Sequence, residues 1–367
     1  MSEPVKSVLH EVQEAAGATF RDDDGWYWTM SFGTNRASDG YQAMISGATM
    51  WDVYPLVKWD VTGPQATQAI QRVFTQDLGA QQAGQVKYGA FVDGAGHLVD
   101  DGTVFKHSDE HYWVLTNTSG FGDFWAEHTS GLDFSFANRV HEMPLISVQG
   151  PRSRDLVQSL TSTDLSGLKY FRFLTARIEV AGVPAWITRT GFSGELGFEL
   201  IPDRAGAVEL WSALGESGAI PVGLDTIEPT RIEAGLIIYG TDYTPGEHTP
   251  FDVSLDKVVA INSSADFLGK QALAAVSSAP PRRLRTLRLH GDELPEVGAE
   301  VFSGGAVVGS LSSRVVSPRF GPIGLAMIET GAAQLGGSVE VATSAAAMKA
   351  TIAEVGIKDP TKAIPRG

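Results

Sequence analysis

The sequence predicts an α+β fold ending in a small β-barrel, and three observations carry the prediction. Residues 87–117 hold three short apolar runs, at 88–92, 102–105 and 112–115, divided by Asp93-Gly94-Ala95-Gly96 and Ser108-Asp109-Glu110. Short β-rich runs broken by Gly/Asp turns form the pattern of a strand meander. A strand-Gly-Pro-helix unit occurs twice, as VTGPQATQAIQRVF at 61–74 and VQGPRSRDLVQSL at 148–160, which points to two similar α+β halves. The segment AAVSSAPP at 274–281 reads as a linker, and beyond it the chain is rich in glycine and in strand-like runs, as suits a small barrel. The expected division is 1–276, two intertwined α+β subdomains, and 277–367, a β-barrel domain.

The elements follow in order. Residues 4–17 carry Val5, Val8, Leu9, Val12, Ala15 and Ala16 at helical spacing and predict an amphipathic helix. Gly25-Trp26-Tyr27-Trp28 is expected as an aromatic corner in a Gly/Asp-rich loop, where such rings pack together or floor a ligand site. A short helix is expected at 40–48, a strand at 57–61 stopped by Gly63-Pro64, and a helix at 65–74. After the meander, 121–128 reads as a helix and 145–148 as a buried strand. Runs at 176–180 and 185–190 read as a hairpin turning at Gly182-Val183-Pro184. In 190–199, three glycines let the backbone come close to another group, and Glu195 and Glu199 fall on one face of an extended chain. Helices are expected at 205–214 and 227–238, the second with Pro229 confined to a first turn. The basic run at 282–288 is expected as the charged face of a strand, or as a grip for an anionic tail.

Composition narrows the function. A chain of 367 residues with 43% hydrophobic content has the makings of a large core and of two or three domains. The net charge of -15 argues against nucleic acid and against anionic membrane surfaces as partners. The absence of cysteine excludes disulfides, thiolate metal sites and a cysteine nucleophile. The N-terminal stretch is acidic and lacks a signal-peptide core, and no run reaches the ~18–20 apolar residues of a membrane span. A cytoplasmic setting is the expectation. No phosphate loop, dinucleotide fingerprint, zinc-protease helix or G-x-S-x-G elbow is present. His107 and His111 flank a turn with no third ligand nearby, so no metal is expected.

The carboxylate pair Asp100-Asp101 lies inside the meander. On an extended strand one of the two faces solvent and the other the interior, where it needs a partner; the alternative is that both cap a turn. Asp100, Glu199, Arg231 and several aromatic residues are candidates for one pocket, and acids between flat walls suit a ligand with ring N–H donors.

In their order and spacing, several motifs match a known family over nearly the whole chain. They are Asp52-Val53, Val61-Thr62-Gly63, Gly96-His97-Leu98-Val99-Asp100-Asp101, Val148-Gln149-Gly150-Pro151, the stretch 190–199, Arg231-Ile232-Glu233-Ala234-Gly235-Leu236, Tyr239-Gly240-Thr241-Asp242 and Asp266-Phe267-Leu268-Gly269-Lys270. The chain resembles the glycine-cleavage T-protein (aminomethyltransferase) family and its relatives, the folate-dependent demethylases. The resemblance implies a three-domain ring around a central folate cavity, with tetrahydrofolate as the co-substrate. It makes Asp100 the catalytic carboxylate beside the reacting pterin nitrogen. Tyr88 takes the folate-contacting tyrosine position, and Glu199 takes that of the glutamate receiving the pterin's N–H donors. Phe192 stands where the T-protein usually has tyrosine. Arg231 matches the arginine of the L-R-L-E-A-G motif, where it holds Glu199, meets the folate or forms a buried helix salt bridge. Ile227 and Glu228 depart from the T-protein pattern G-L-x-A-R-D-x-L-R-L-E-A-G and resemble the demethylase branch.

The leading expectation is therefore a demethylase that moves a methyl group from a small S-, N- or O-methylated substrate to tetrahydrofolate. Trp26, Tyr27 and Tyr243 are its substrate-contact candidates, because aromatic rings form a cation cage and tyrosine can donate to a leaving group. The alternatives are the aminomethyltransferase itself and a non-catalytic folate-binding protein. The strongly acidic chain argues against docking to an acidic lipoyl carrier protein.

Overall fold

The computed structural model describes residues 3–23, 25–33, 37–291, 293–344 and 346–367. Two open sheets and a closed barrel organise them. The meander forms as expected: Val86–Val92, Leu98–Ser108 and His111–Thr116 are consecutive antiparallel neighbours, extended by Val57–Thr62 and Ser135–Asn138 into a five-stranded sheet. A six-stranded sheet runs in the order Ile178–Val180, Val183–Thr188, Gly197–Pro202, Ile146–Gln149, Thr49–Asp52, Ile220–Pro221. Six strands between Arg282 and Ala353 close into a barrel.

The strand-Gly-Pro-helix unit recurs in three dimensions, once in each open sheet. Val57–Thr62 leads through Gly63 to the helix Ala66–Gln71, and Ile146–Gln149 leads through Gly150 to the helix Ser153–Ser159. Both glycines have positive φ, 128° and 123°, so each chain reverses at a backbone position that a side chain would strain. The helix Phe121–His128 falls where it is expected.

Four local expectations change. The N-terminal helix is only His10–Ala15, because Val5 is drawn out to bridge Trp26. The residues Trp26–Phe32 form a strand, paired with Ala18–Asp23, rather than a loop; Phe20, Trp28 and Phe32 lie among alternating polar residues, a period-two pattern. The turn near Gly182 uses Ala181 and Gly182, with φ of 51° and 81°, the two left-handed residues of a tight hairpin. The helix around Pro229 begins earlier, spanning Leu224–Ala234, so the proline lies inside it. Thr230 donates its hydroxyl to the Thr226 carbonyl at 3.1 Å beside the break.

The six-stranded sheet has two unlike faces. One carries Met50, Ile146, Val148, Phe198, Leu200, Ala185 and Ile187 into an apolar core. The other carries Trp51, Ser147, Gln149, Glu199 and Thr188, all buried. A buried polar sheet face is costly unless its groups are bonded or meet a ligand.

Candidate active site

A cavity of about 2100 Å³ opens between the two sheets, the N-terminal hairpin and the barrel. Its wall includes Tyr88, Phe192, Glu199, Arg231 and Trp26 from the expected set, but neither Asp100, Tyr27 nor Tyr243.

The carboxylate pair departs from expectation in two ways. Neither acid faces bulk solvent: Asp100 is 0% and Asp101 7% exposed. The one on the cavity wall is Asp101. Asp100 lies behind it, receiving the backbone N–H of Asn117 at 3.1 Å and of Thr118 at 3.2 Å, and the Asn117 side-chain amide at 2.7 Å. The alternation of the strand is intact, but the strand runs between two sheet neighbours with protein on both faces, so both acids end up inside. Burial, and then the neighbouring Asp101 charge, push the Asp100 carboxyl up to about 7. Asp101 is also raised by burial, against the lowering effect of its two tyrosine partners.

Those tyrosines define the centre. Tyr88 donates to Asp101 Oδ2 at 2.8 Å and Tyr243 donates to Oδ1 at 2.7 Å. Tyr243, 2% exposed, therefore positions the acid and does not stand free for a substrate. Tyr27 packs on the other side of the hairpin, against His10 at 5.2 Å and Phe20 at 6.3 Å between ring centroids. Trp26 stacks on His141 at 5.6 Å and brings the hairpin to the cavity.

Arg231 forms a buried ion pair, one of the roles expected for it, while still lining the cavity wall. Its guanidinium bonds Asp242 at 2.6 Å, Glu228 at 2.8 Å and the Ser313 hydroxyl of the barrel at 2.8 Å. No described bond joins it to Glu199, which receives the Thr190 hydroxyl on Oε2. Burial raises the Glu199 carboxyl, with Thr190 and the Lys58 charge acting against it. His107 and His111 stack at 4.5 Å, with His111 bonded to Asp60 at 2.8 Å, and no cluster fit to hold a metal occurs among the described residues.

Asn117, Tyr170 and Trp51 also line the cavity, and sequence reasoning assigned no role there to Asn117 or Tyr170. Their placement depends on sheet register, which no local signal carries.

A family model described as the GCVT N-terminal domain matches residues 9–263, and one described as the glycine cleavage T-protein C-terminal barrel domain matches 282–356. The chain belongs to the GCVT family. An aminomethyltransferase of Streptomyces avermitilis is 35% identical over 338 residues, 89% of this chain and 90% of that one. Another from Listeria welshimeri is 32% identical, covering 96% of this chain and 98% of its own. The crystal structure of the glycine cleavage system aminomethyltransferase T from Bartonella henselae shares the family fold, with a TM-score of 0.88, 22% identity and 96% and 98% coverage.

These relatives overturn the demethylase expectation and its small methylated substrate: at 30–35% identity over most of the chain, GCVT relatives are named aminomethyltransferase. The relatives give the departures at Ile227 and Glu228 no support as marks of a demethylase branch; in the structure Ile227 is buried in the core and Glu228 is a partner of Arg231. The charge argument against a lipoyl carrier falls with the demethylase. Net charge says nothing about the charge of one face. No helix among the described residues is long and apolar enough to cross a membrane.

Proposed function

We propose that the chain is a tetrahydrofolate-dependent aminomethyltransferase that works on an aminomethyl group presented by a lipoyl carrier protein. The observation that carries the reading is the Asp101 carboxylate, set on the cavity wall between two tyrosine hydroxyls. The cavity suits the co-substrate on its own chemistry: about 2100 Å³, aromatic walls at Trp28, Tyr170 and Phe192, and a buried acceptor at Glu199. When bound, tetrahydrofolate supplies nitrogen atoms able to accept a one-carbon unit.

The residues of this chain then have distinct tasks. Glu199 accepts N–H donors, and Phe192 and Tyr170 supply flat surfaces. Asp101 holds or takes up a proton at its carboxylate oxygens and stabilises positive charge that develops nearby. Tyr88 and Tyr243 fix the direction of that carboxylate, and Asn117 fixes the acid behind it. Orientation of this kind is a large share of catalysis when two substrates must meet.

The reading is tested by assaying methylenetetrahydrofolate formation from tetrahydrofolate and an aminomethylated lipoyl carrier protein. Wild-type protein is expected to turn over, and Asp101→Asn to lose about 10²- to 10⁴-fold in kcat with folate affinity changed only a few-fold. Normal turnover by Asp101→Asn would remove the carboxylate from the mechanism, and no turnover by the wild type with any aminomethylated carrier would remove the reaction.

A further inference from the structure

One stretch of the cavity wall has little intrinsic shape. Thr190-Gly191-Phe192-Ser193-Gly194-Glu195-Leu196-Gly197 holds three glycines, each with more backbone freedom than any other residue. It forms no helix, and its strand begins only at Gly197. Yet Thr190, Gly191, Phe192, Gly194 and Glu195 line the cavity, and Thr190 bonds Glu199.

One side chain holds this loop from beneath. Gln149 ends the strand Ile146–Gln149, is 2% exposed and is not part of the cavity wall. Its Nε2 donates to the Thr190 carbonyl at 3.2 Å and to the Phe198 carbonyl at 3.4 Å, and its Oε1 accepts the Ser193 hydroxyl at 2.7 Å. The Ser193 oxygen in turn accepts the Glu195 N–H at 3.2 Å. A Cβ at Gly191 or at Gly197 would collide with the Gln149 amide, so the two glycines make the slot that it fills. The turn after the strand does not require an amide there. In the twin strand-Gly-Pro-helix unit the same position is Thr62, which is exposed and bonds Ser135 at 3.0 Å.

Resting on the tetrahydrofolate reading above, we propose that Gln149 is a positioning residue, which fixes the loop at Thr190 and Ser193 and so holds Phe192 and Glu199 in binding geometry without touching the co-substrate. Phe192 lies between the two anchored residues, and the Thr190 anchor also sets the hydroxyl that Glu199 receives. A group displaced by about 1 Å through its supports can cost ~10²-fold in rate, so such anchors matter beyond stability.

The test uses the full chain with Gln149→Met, which fills the slot without an N–H donor, and Ser193→Ala, a milder change that removes the hydroxyl held by Oε1. Tetrahydrofolate affinity is read by anaerobic calorimetry, KM for tetrahydrofolate and for an aminomethylated lipoyl carrier protein by turnover, and folding by melting temperature. Gln149→Met is expected to weaken tetrahydrofolate binding and raise its KM about tenfold, and Ser193→Ala to do so about threefold, with the carrier KM within about twofold of wild type. Wild-type tetrahydrofolate affinity in both variants would overturn the proposal. So would an equal rise in both KM values, which would assign Gln149 to general packing. Wild-type protein that binds tetrahydrofolate without turning over would overturn the reaction while the affinity comparison still decides the role of Gln149. Failure of the wild type to bind tetrahydrofolate would overturn the folate reading, and this proposal with it.

Discussion

Arg231 and Asp101 show how differently two buried charged groups behave. Arg231 and Asp242 are 2% and 0% exposed at the side chain and 2.6 Å apart, with Ser312 and Ser313 also bonding the aspartate at 2.6 Å. Removing one partner leaves a buried charge unpaired, so Arg231→Ala is expected to lower stability by ~3–5 kcal/mol in urea unfolding. Asp101 has hydroxyl partners and no cation, which leaves it proton-responsive. Asp100, raised to about 7 behind it, has a consequence for the whole fold. Between pH 4 and 7 the folded chain retains a proton there that the unfolded chain releases. Stability from this group therefore falls as pH rises through that window and levels off above it. Asp100→Asn is expected to flatten that part of the pH profile of the melting temperature; an unchanged slope would mean the group titrates normally.

At the scale of the element, the glycine reversals and the N-terminal hairpin carry the site. Gly150 has φ of 123°, and an added Cβ would lie 2.5 Å from the Gly47 carbonyl oxygen. Gly150→Ala is expected to cost at least ~1–3 kcal/mol from backbone strain alone, read as a lower denaturation midpoint. The hairpin is a two-stranded unit, of a kind marginal by itself. It is tied down by the Val5 bridge, by Thr29 donating to Gln13 at 2.5 Å, and by the stack of Trp26 on His141. Trp26→Ala is expected to remove ~0.5–1.5 kcal/mol of ring contact. Its effect should appear as faster amide exchange across the hairpin with little change at the barrel.

For the whole molecule, the barrel is part of the active-site frame. Ser312 and Ser313 reach Asp242, and Ser317 bonds Glu233 at 2.6 Å, a carboxylate that also receives the Tyr41 hydroxyl at 2.9 Å. One apolar cluster mixes Ala90, Leu98, Ile232 and Tyr243 with Leu284, Ile323 and Leu325 of the barrel. A chain ending at residue 281 would expose this cluster and remove the serine hydroxyls from two buried acids. That fragment is expected to be protease-sensitive and to lose cooperative unfolding, whereas the full chain resists cleavage between 277 and 281.

The sequence by itself determined the α+β class, the meander, the twin strand-Gly-Pro-helix units and the C-terminal barrel, because period-two patterning and turn residues act over a few neighbours. Motif order named Tyr88, Phe192, Glu199 and Arg231 as a set, and the fold sets all four along the cavity wall. Only the tertiary structure decided between Asp100 and Asp101, since both sides of that strand are covered and alternation alone names no cavity side. It likewise placed Tyr243 behind Asp101 and turned Tyr27 away. Contacts across 142 residues, as between Asp101 and Tyr243, and rows built by register, as in Trp51, Ser147 and Glu199, arise from packing whole sheets together.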